Sequence, residues 1–295
     1  MPGGSDDEVE TPPVVAVDVG GTKVAAGIVR GAAVSDRVQF ATPPRPGIGA
    51  LVDAVRDIVA RMPEVPGPVA VATAGLVRKG ALQALNDTFD VPDWEPFQAP
   101  LAQALGRPVV LLNDAQAATC GEYRYGAGRG AASMVFLTLS TGIGGGIVAD
   151  GRLLTGHQGL AGSIGQIRLD PGNPGSPRLE EKASGAGLAR LATAVAGRPV
   201  PADRALADDD PALQALVAEM ARLVAGAIAG LAATVDPQLV VIGGGLGLAP
   251  GVLDKLRATL QAYPPLYRPA LVAAVLGHDV GLVGAADWRS RLGSG

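Results

Sequence analysis

Two stretches of this chain share one layout: a short apolar run, a glycine-rich turn, and two further runs joined by tight turns. The first is VVAVDV (14–19), GGT, KVAAGIV, Gly31 and AAVSDRVQFAT; the second, from residue 133, is SMVFLTLSTGIGGGIVADGRLL. Runs of this length bounded by glycine predict strands of an antiparallel meander. Their recurrence at low identity predicts a duplicated α/β unit. Apolar residues at helical spacing predict a helix over 48–62. Helices are also expected at 98–106, 115–126, 183–196, 211–235, 250–262 and 281–292. Further strands are expected at 68–77, 108–114, 239–245 and 271–276, while the Gly- and Pro-rich stretch 159–180 reads as irregular. Strand-rich halves that each carry helices give an α/β fold with a cleft between the halves. The expected domains are a flexible tail over 1–13, an N-terminal α/β domain over 14–117 completed by helix 281–292, and a C-terminal α/β domain over 118–280.

Composition narrows the function classes. Hydrophobic residues make up 48% of the 295, enough for a sizeable core, and with aromatics at only 3% that core must be aliphatic. No apolar run reaches ~18 residues without a charge, so no membrane span is expected. The acidic start MPGGSDDEVETPP lacks the features of a signal peptide. A net charge of −4 disfavours a nucleic-acid surface. One cysteine, Cys120, cannot form an intramolecular disulfide, and the expected location is cytoplasmic. With only His157 and His278 beside it, an ordinary cysteine-rich zinc site is not expected. The bland readings hold for several residues: His157 and His278 in loops or at strand ends, Cys120 buried on its helix, Lys23 facing solvent and Trp94 packed in the core.

Asp18-Val-Gly-Gly-Thr22 lies between two strands, where glycines let backbone amides approach an anion and Thr22 adds a hydroxyl. An acid beside a phosphate site calls for a cation, so Asp18 suggests Mg²⁺ held directly or through water. Alone, the motif reads equally as a hairpin turn ending in an acid. Ser140-Thr-Gly-Ile-Gly-Gly-Gly146 repeats the arrangement, and two such turns facing one cleft can clamp a polyphosphate. Gly243-Gly-Gly245 follows a buried strand, where an adenosine could lie against bare backbone. Two other nucleotide motifs fail: there is no GxxxxGK[ST], and GGGLGL (243–248) has Leu248 where a dinucleotide fingerprint needs glycine. Asn113-Asp114 closes a strand and opens a helix. Asp114 reads either as a helix N-cap or as the general base that accepts a hydroxyl proton during phosphoryl transfer.

DVGGTK (18–23), LNDAQAA (112–118), STGIGGG (140–146), GLAG..G (159–165) and VVIGGG (240–245) follow one another as in the ROK family, which the chain resembles from about residue 14 to 290. That family comprises sugar kinases and sugar-responsive repressors. The resemblance implies two actin-like, ribonuclease H-like ATPase domains with an interdomain cleft. Within the family the chain looks most like bacterial N-acetylmannosamine kinases, through AGLVRKGALQALN (74–86), NDAQAA (113–118), LLTG..GLAG.IG (153–165) and HDVGLVGAA (278–286).

The resemblance implies that Asp18, Gly20, Gly21 and Thr22 form one phosphate loop and Thr141, Gly142 and Gly144 the other. Gly243, Gly244 and Gly245 would lie near adenosine. Asp114 would be the base, Asn113 would bind a sugar hydroxyl, Gly75 would approach the sugar ring by its backbone, and Glu180 would contact sugar. The sugar side departs from the family pattern AGExGH, which here reads Ala161-Gly-Ser-Ile-Gly-Gln166. Ser163 replaces a sugar-contacting Glu, and Gln166 replaces a His that ligates zinc and contacts sugar. Asp90 stands where many members carry an Asn that binds sugar; a carboxylate only accepts hydrogen bonds, so selectivity should change. GNPGSPR (172–178) takes the place of the cysteine-rich zinc loop, so no zinc is expected, and prolines 171, 174 and 177 are expected to stiffen that loop. The expected activity is an ATP- and Mg²⁺-dependent kinase acting on a primary hydroxyl, with N-acylmannosamine first among substrates, then glucose, then a cyclitol; domain closure would exclude water. The rival is a catalytically silent sugar sensor. A DNA-binding repressor is disfavoured, because 13 residues before the first strand are too few for a helix-turn-helix domain. Family members are often dimers, so a second copy of the chain is the one macromolecular partner to consider.

Overall fold

The computed structural model describes residues 12–292. Residues 1–11 of the expected tail lie outside the described residues. Those up to Ala117, together with those from His278 on, form one compact unit, and Ala118–Gly277 forms a second.

The first unit is built on β1 (Val14–Val19), β2 (Lys23–Arg30), β3 (Ala33–Ala41) and β4 (Val69–Thr73). β1–β3 form an antiparallel meander, while β1 and β4 run parallel. β4 is buried throughout and β1 nearly so, as in parallel strands covered on both faces. β3, largely exposed, forms one edge. A small antiparallel sheet of β5 (Leu76–Arg78), β6 (Ala81–Gln83) and β7 (Glu95–Pro96), not foreseen from the sequence, follows β4. These strands are two or three residues long, too short for a periodicity to register. β8 (Val109–Asn113) then pairs parallel with β4 and completes the order β3-β2-β1-β4-β8. Helix α1 (Ile48–Val59) buries Leu51, Ala54, Val55 and Ile58, a spacing of three, four and seven residues that marks one helical face. α2 (Gln98–Leu105) packs on β8, and α3 (Asp114–Tyr125) starts directly at the end of β8.

The second unit repeats the pattern. β9 (Met134–Leu139), β10 (Ile143–Ala149) and β11 (Arg152–Leu154) form a meander, and β12 (Leu239–Gly243) and β13 (Ala270–Ala273) extend it in parallel, giving the order β11-β10-β9-β12-β13. The two five-stranded sheets thus have the same order, meander at one side and parallel strands at the other. α4 (Leu179–Ala183) and α6 (Ala202–Ala207) were not predicted; each is under two turns, too short for a 3.6-residue period to show. α5 (Gly185–Ala196) and α7 (Pro211–Val235) match expectation, as does α8 (Val252–Leu260) in a shortened form. α7 is long and apolar enough to cross a membrane by length and composition. Here it is the core helix: Leu213, Val217, Met220, Val224 and Ile228 are buried in the cluster that includes Val135, Leu137, Val240 and Ile242. Asp210 caps it, accepting the Ala212 N–H at 2.8 Å. Finally α9 (Val280–Leu292) returns to the first unit and packs on β1 and β4.

Candidate active site

In the first unit, β1, β4 and β8 run parallel and end side by side: Val19 is in register with Thr73, and Thr73 with Asn113. Ligands of open α/β sheets bind beyond such carboxyl ends. The chain sets Asp18, Gly75, Asn113 and Asp114 there, so four predicted site residues fall together for a topological reason.

Asn113 does three jobs. Its Oδ1 accepts the Gln116 N–H at 3.0 Å, so the N-cap of α3 is Asn113 and not Asp114. Its Nδ2 donates to the Gly75 carbonyl at 2.8 Å and to Asp114 Oδ1 at 2.9 Å. Asp114 Oδ1 also accepts the Ala115 N–H at 2.7 Å. The Asp114 carboxyl is therefore oriented by Asn113, which is itself anchored on Gly75. Gly75 has φ +93°, and a Cβ there would lie 2.8 Å from the Gln83 carbonyl oxygen, so only glycine suits the position.

Electrostatics distinguish this carboxyl further. Burial, reinforced by the negative charge of Asp18, pushes Asp114 up to about 7. Burial also lifts Asp18 to about 6, against the pull of Lys23 and Arg37. Lys23, expected to face solvent, is thus half-buried and within electrostatic reach of Asp18. Arg37 is fixed by an ion pair to Asp279 at 2.8 Å. Asp18 faces the start of α9, where a Cβ on Gly281 would approach its Oδ2 to 2.6 Å. Gly281 lies in the HDVGLVGAA segment, yet nothing in the sequence alone ties it to an aspartate so far away.

Gly20, Gly21 and Thr22 form the turn between β1 and β2; Gly20 N–H donates to the Lys23 carbonyl at 2.9 Å, and Thr42 Oγ1 donates to the Gly20 carbonyl at 2.7 Å. Asp90 is exposed, with Arg45 Nη2 at 3.6 Å from its Oδ1. The ring of Trp94 is half-buried under the Arg78 guanidinium, 4.3 Å from its centroid. Neither arginine stands out in the sequence, because an arginine in a loop (Arg45) or at the end of a three-residue strand (Arg78) carries no pattern.

In the second unit the turn after β9 and the turn after β12 meet at one cavity of about 330 Å³. Thr141 and Gly245 line it, together with residues no motif predicted: Gly185 and Ala186 from α5, and Asp203 and Leu206 from α6. Gly244, at φ +81°, lies against the Leu139 carbonyl, and Gly243 lies against the Phe136 ring. Gly142 is held from behind by Glu180: a Cβ would lie 2.5 Å from Glu180 Oε2, which accepts the Ile143 N–H at 2.9 Å. Gly144 sits in β10 opposite Thr138. The loop carrying Ser163 and Gln166 packs backbone to backbone on β10 through Gly162, whose φ is +89°. Gln166 Oε1 accepts from Arg178 Nη1 at 2.9 Å. Cys120 is buried, and His157 and His278 are exposed in loop and 3-10 segments. Among the described residues, no group of three or more His, Cys, Asp or Glu is placed to hold a metal ion.

Comparison with known proteins follows the same lines. The chain is 43% identical over 278 residues to the bifunctional enzyme NanE/NanK of Brucella melitensis, covering 93% of this chain and 53% of that protein. It therefore spans about half the length of that relative. It is 41% identical over 283 residues to the N-acetylmannosamine kinase of Citrobacter koseri, covering 92% of this chain and 97% of that one. The ROK family glucokinase of Streptomyces griseus, solved with glucose and AMPPNP, superposes with a TM-score of 0.79 at 33% identity, over 94% of this chain and 98% of its own. With the ROK family pattern matched across residues 14–291, this chain belongs to that family.

Proposed function

We propose that the protein is an ATP- and Mg²⁺-dependent kinase that phosphorylates a primary hydroxyl of an N-acylmannosamine. The observation that carries the reading is the Asp114 carboxyl, oriented by Asn113 at a strand end and tuned to about 7. A general base works best with a pKa near the working pH. The likeness to the N-acetylmannosamine kinase of Citrobacter koseri over 97% of its length supports the acceptor. Asp114 takes the hydroxyl proton on Oδ2, since Oδ1 is engaged by Ala115 and Asn113. Asn113 fixes the carboxyl and keeps one lone pair of its amide oxygen for an acceptor hydroxyl. Gly75, Asp90, Ser163, Gln166 and Glu180 are the other residues proposed to contact the acceptor.

Thr22 and Thr141 offer hydroxyl donors to phosphate oxygens, with the backbone of Gly20, Gly21, Gly142 and Gly144. The cavity bordered by Thr141 and Gly245 has the size of a small-ligand pocket and suits adenosine. Asp18 fits a cation: a partly buried carboxylate held near 6 gains from a positive ion, and water and phosphate oxygens would complete the shell. When bound, Mg²⁺ neutralises the phosphate charge. A lone cysteine is in keeping with a cytoplasmic setting.

A coupled ADP-release assay across hexoses, N-acylhexosamines and cyclitols tests the proposal. N-acetylmannosamine is expected to give a kcat/KM at least about tenfold above glucose, a margin within reach of one or two altered polar contacts. Silence across the panel, with ligand-induced thermal shifts, would overturn the kinase reading in favour of a sensor. The pH profile is a second check. Asp114 must be ionised to act, so kcat/KM for the acceptor should rise with pH to a plateau, with a midpoint near 7. A profile flat from about pH 5.5 to 8.5 would remove Asp114 as the base.

A further inference from the structure

The segment 166–181 lies where the resemblance places a zinc-bound loop, and its side chains do not suit a metal. It contains no Cys or His, and a guanidinium, that of Arg178, bridges its two ends at Gln166 and Glu181. What holds it is visible bond by bond. Leu169 N–H donates to the Pro177 carbonyl at 3.0 Å and Leu179 N–H to the Ile167 carbonyl at 2.8 Å, closing a hairpin. At its tip, Ser176 Oγ donates to the Asp170 carbonyl at 2.9 Å, and Arg168 Nη1 donates to the Ser176 carbonyl at 2.6 Å.

Arg178 sits at the base of this hairpin and reaches three ways. Nη1 donates to Gln166 Oε1 at 2.9 Å, and Nη2 donates to Glu181 Oε1 at 2.9 Å. Its backbone N–H donates to Glu181 Oε2 at 2.7 Å, the reach-back of a third-position Glu at the start of α4. These bonds hold the Glu181 carboxyl below the usual range. Such a fork is planar and fixed, so it sets direction as well as distance. α4 in turn carries Glu180, which takes the Ile143 N–H and backs Gly142.

We propose that Arg178 is a positioning residue that cross-links the acceptor loop at Gln166 to the start of α4 through Glu181, so that Gln166 and Glu180 keep their places without a metal. The assignment of Gln166 and Glu180 to the acceptor rests on the kinase reading above; the cross-link itself does not.

The test combines hydrogen exchange with kinetics on the purified full chain, using Arg178→Ala, Arg178→Lys and the unaltered protein with and without 1,10-phenanthroline. Arg178→Ala is expected to speed exchange of the Leu169, Leu179 and Ile143 amides by about tenfold or more, as local opening becomes cheaper. Acceptor KM should rise about tenfold with kcat within about threefold, as expected when a binding group is misplaced and the fold is kept. Arg178→Lys, with one donor centre in place of a fork, should recover only part of either effect. The chelator should change nothing in the unaltered protein. Unchanged exchange in Arg178→Ala would overturn the proposal. So would a chelator that reproduces the Arg178→Ala pattern, or a fall in kcat with KM unmoved. If no sugar is phosphorylated by any form, the kinase reading fails and the exchange arm still decides on the cross-link.

Discussion

Asp114→Asn is expected to lower kcat by about a thousandfold, within the range for removing a positioned general base, while ATP binding stays near normal. The same substitution is expected to make the unliganded protein more stable at alkaline pH. The sign follows from linkage. Folding raises the Asp114 pKa from an ordinary 3.8 to about 7, so between those values the folded chain holds a proton that the unfolded chain has released. Stability contributed by this group is therefore present below the unfolded value and lost as pH rises through 7. An asparagine carries no charge to desolvate, and its amide oxygen can still accept from Ala115 and Asn113. At about 1.4 kcal/mol per pKa unit, and allowing for relaxation, the gain at pH 8 should be about 1–3 kcal/mol and should vanish below about pH 4. Urea denaturation at the two pH values reads the difference. A variant that turns over normally, or one destabilised at pH 8, would contradict the role assigned to Asp114.

Gly162→Ala is expected to destabilise the second unit strongly. A Cβ at this position would lie 2.6 Å from the Gly146 Cα and 2.7 Å from the Gly145 carbonyl oxygen. Both are backbone atoms, so no rotamer change relieves the clash. The φ of +89° adds strain that only glycine avoids. Overpacking and strain each cost about 1–3 kcal/mol, so a loss of about 3 kcal/mol or more is expected. Gly197→Ala is the matched control: its φ is +66°, with nothing within 4 Å of the added carbon, so it should lose only about 1–2 kcal/mol. Because the 159–166 loop carries Ser163 and Gln166, the Gly162 variant should also raise acceptor KM. Equal denaturation midpoints for the two variants would mean that β10 and the loop part more easily than their packing indicates.

The residues that could be read from the sequence share a physical trait. Glycine turns between apolar runs announce strands and their ends, and an acid at such an end, as at Asp18 or Asp114, announces where chemistry can be placed. What escaped depends on contacts between distant segments. Gly281 is a glycine because Asp18 lies against it, Gly162 because β10 does, and neither partner is near in sequence. Nothing in the sequence singles out Arg178; beside the stiffening expected from prolines 171, 174 and 177, the structure adds side-chain bonds from Arg168, Ser176 and Arg178 whose partners no sequence pattern announces. Asn113 was read as a sugar ligand, and the structure gives it the helix cap and the orientation of its neighbour as well.

The return of α9 to β1 sets an order of events during synthesis. The segment His278–Leu292 leaves the ribosome only after the whole of Ala118–Gly277, so the second unit can collapse while the first still lacks a helix. Until Gly281 and Asp279 arrive, Asp18 has no helix start against it and Arg37 has no ion-pair partner. A nascent chain therefore carries the strand ends that bear Asp18 and Asp114 well before it carries the helix start that packs against Asp18, so this corner of the first unit is completed last.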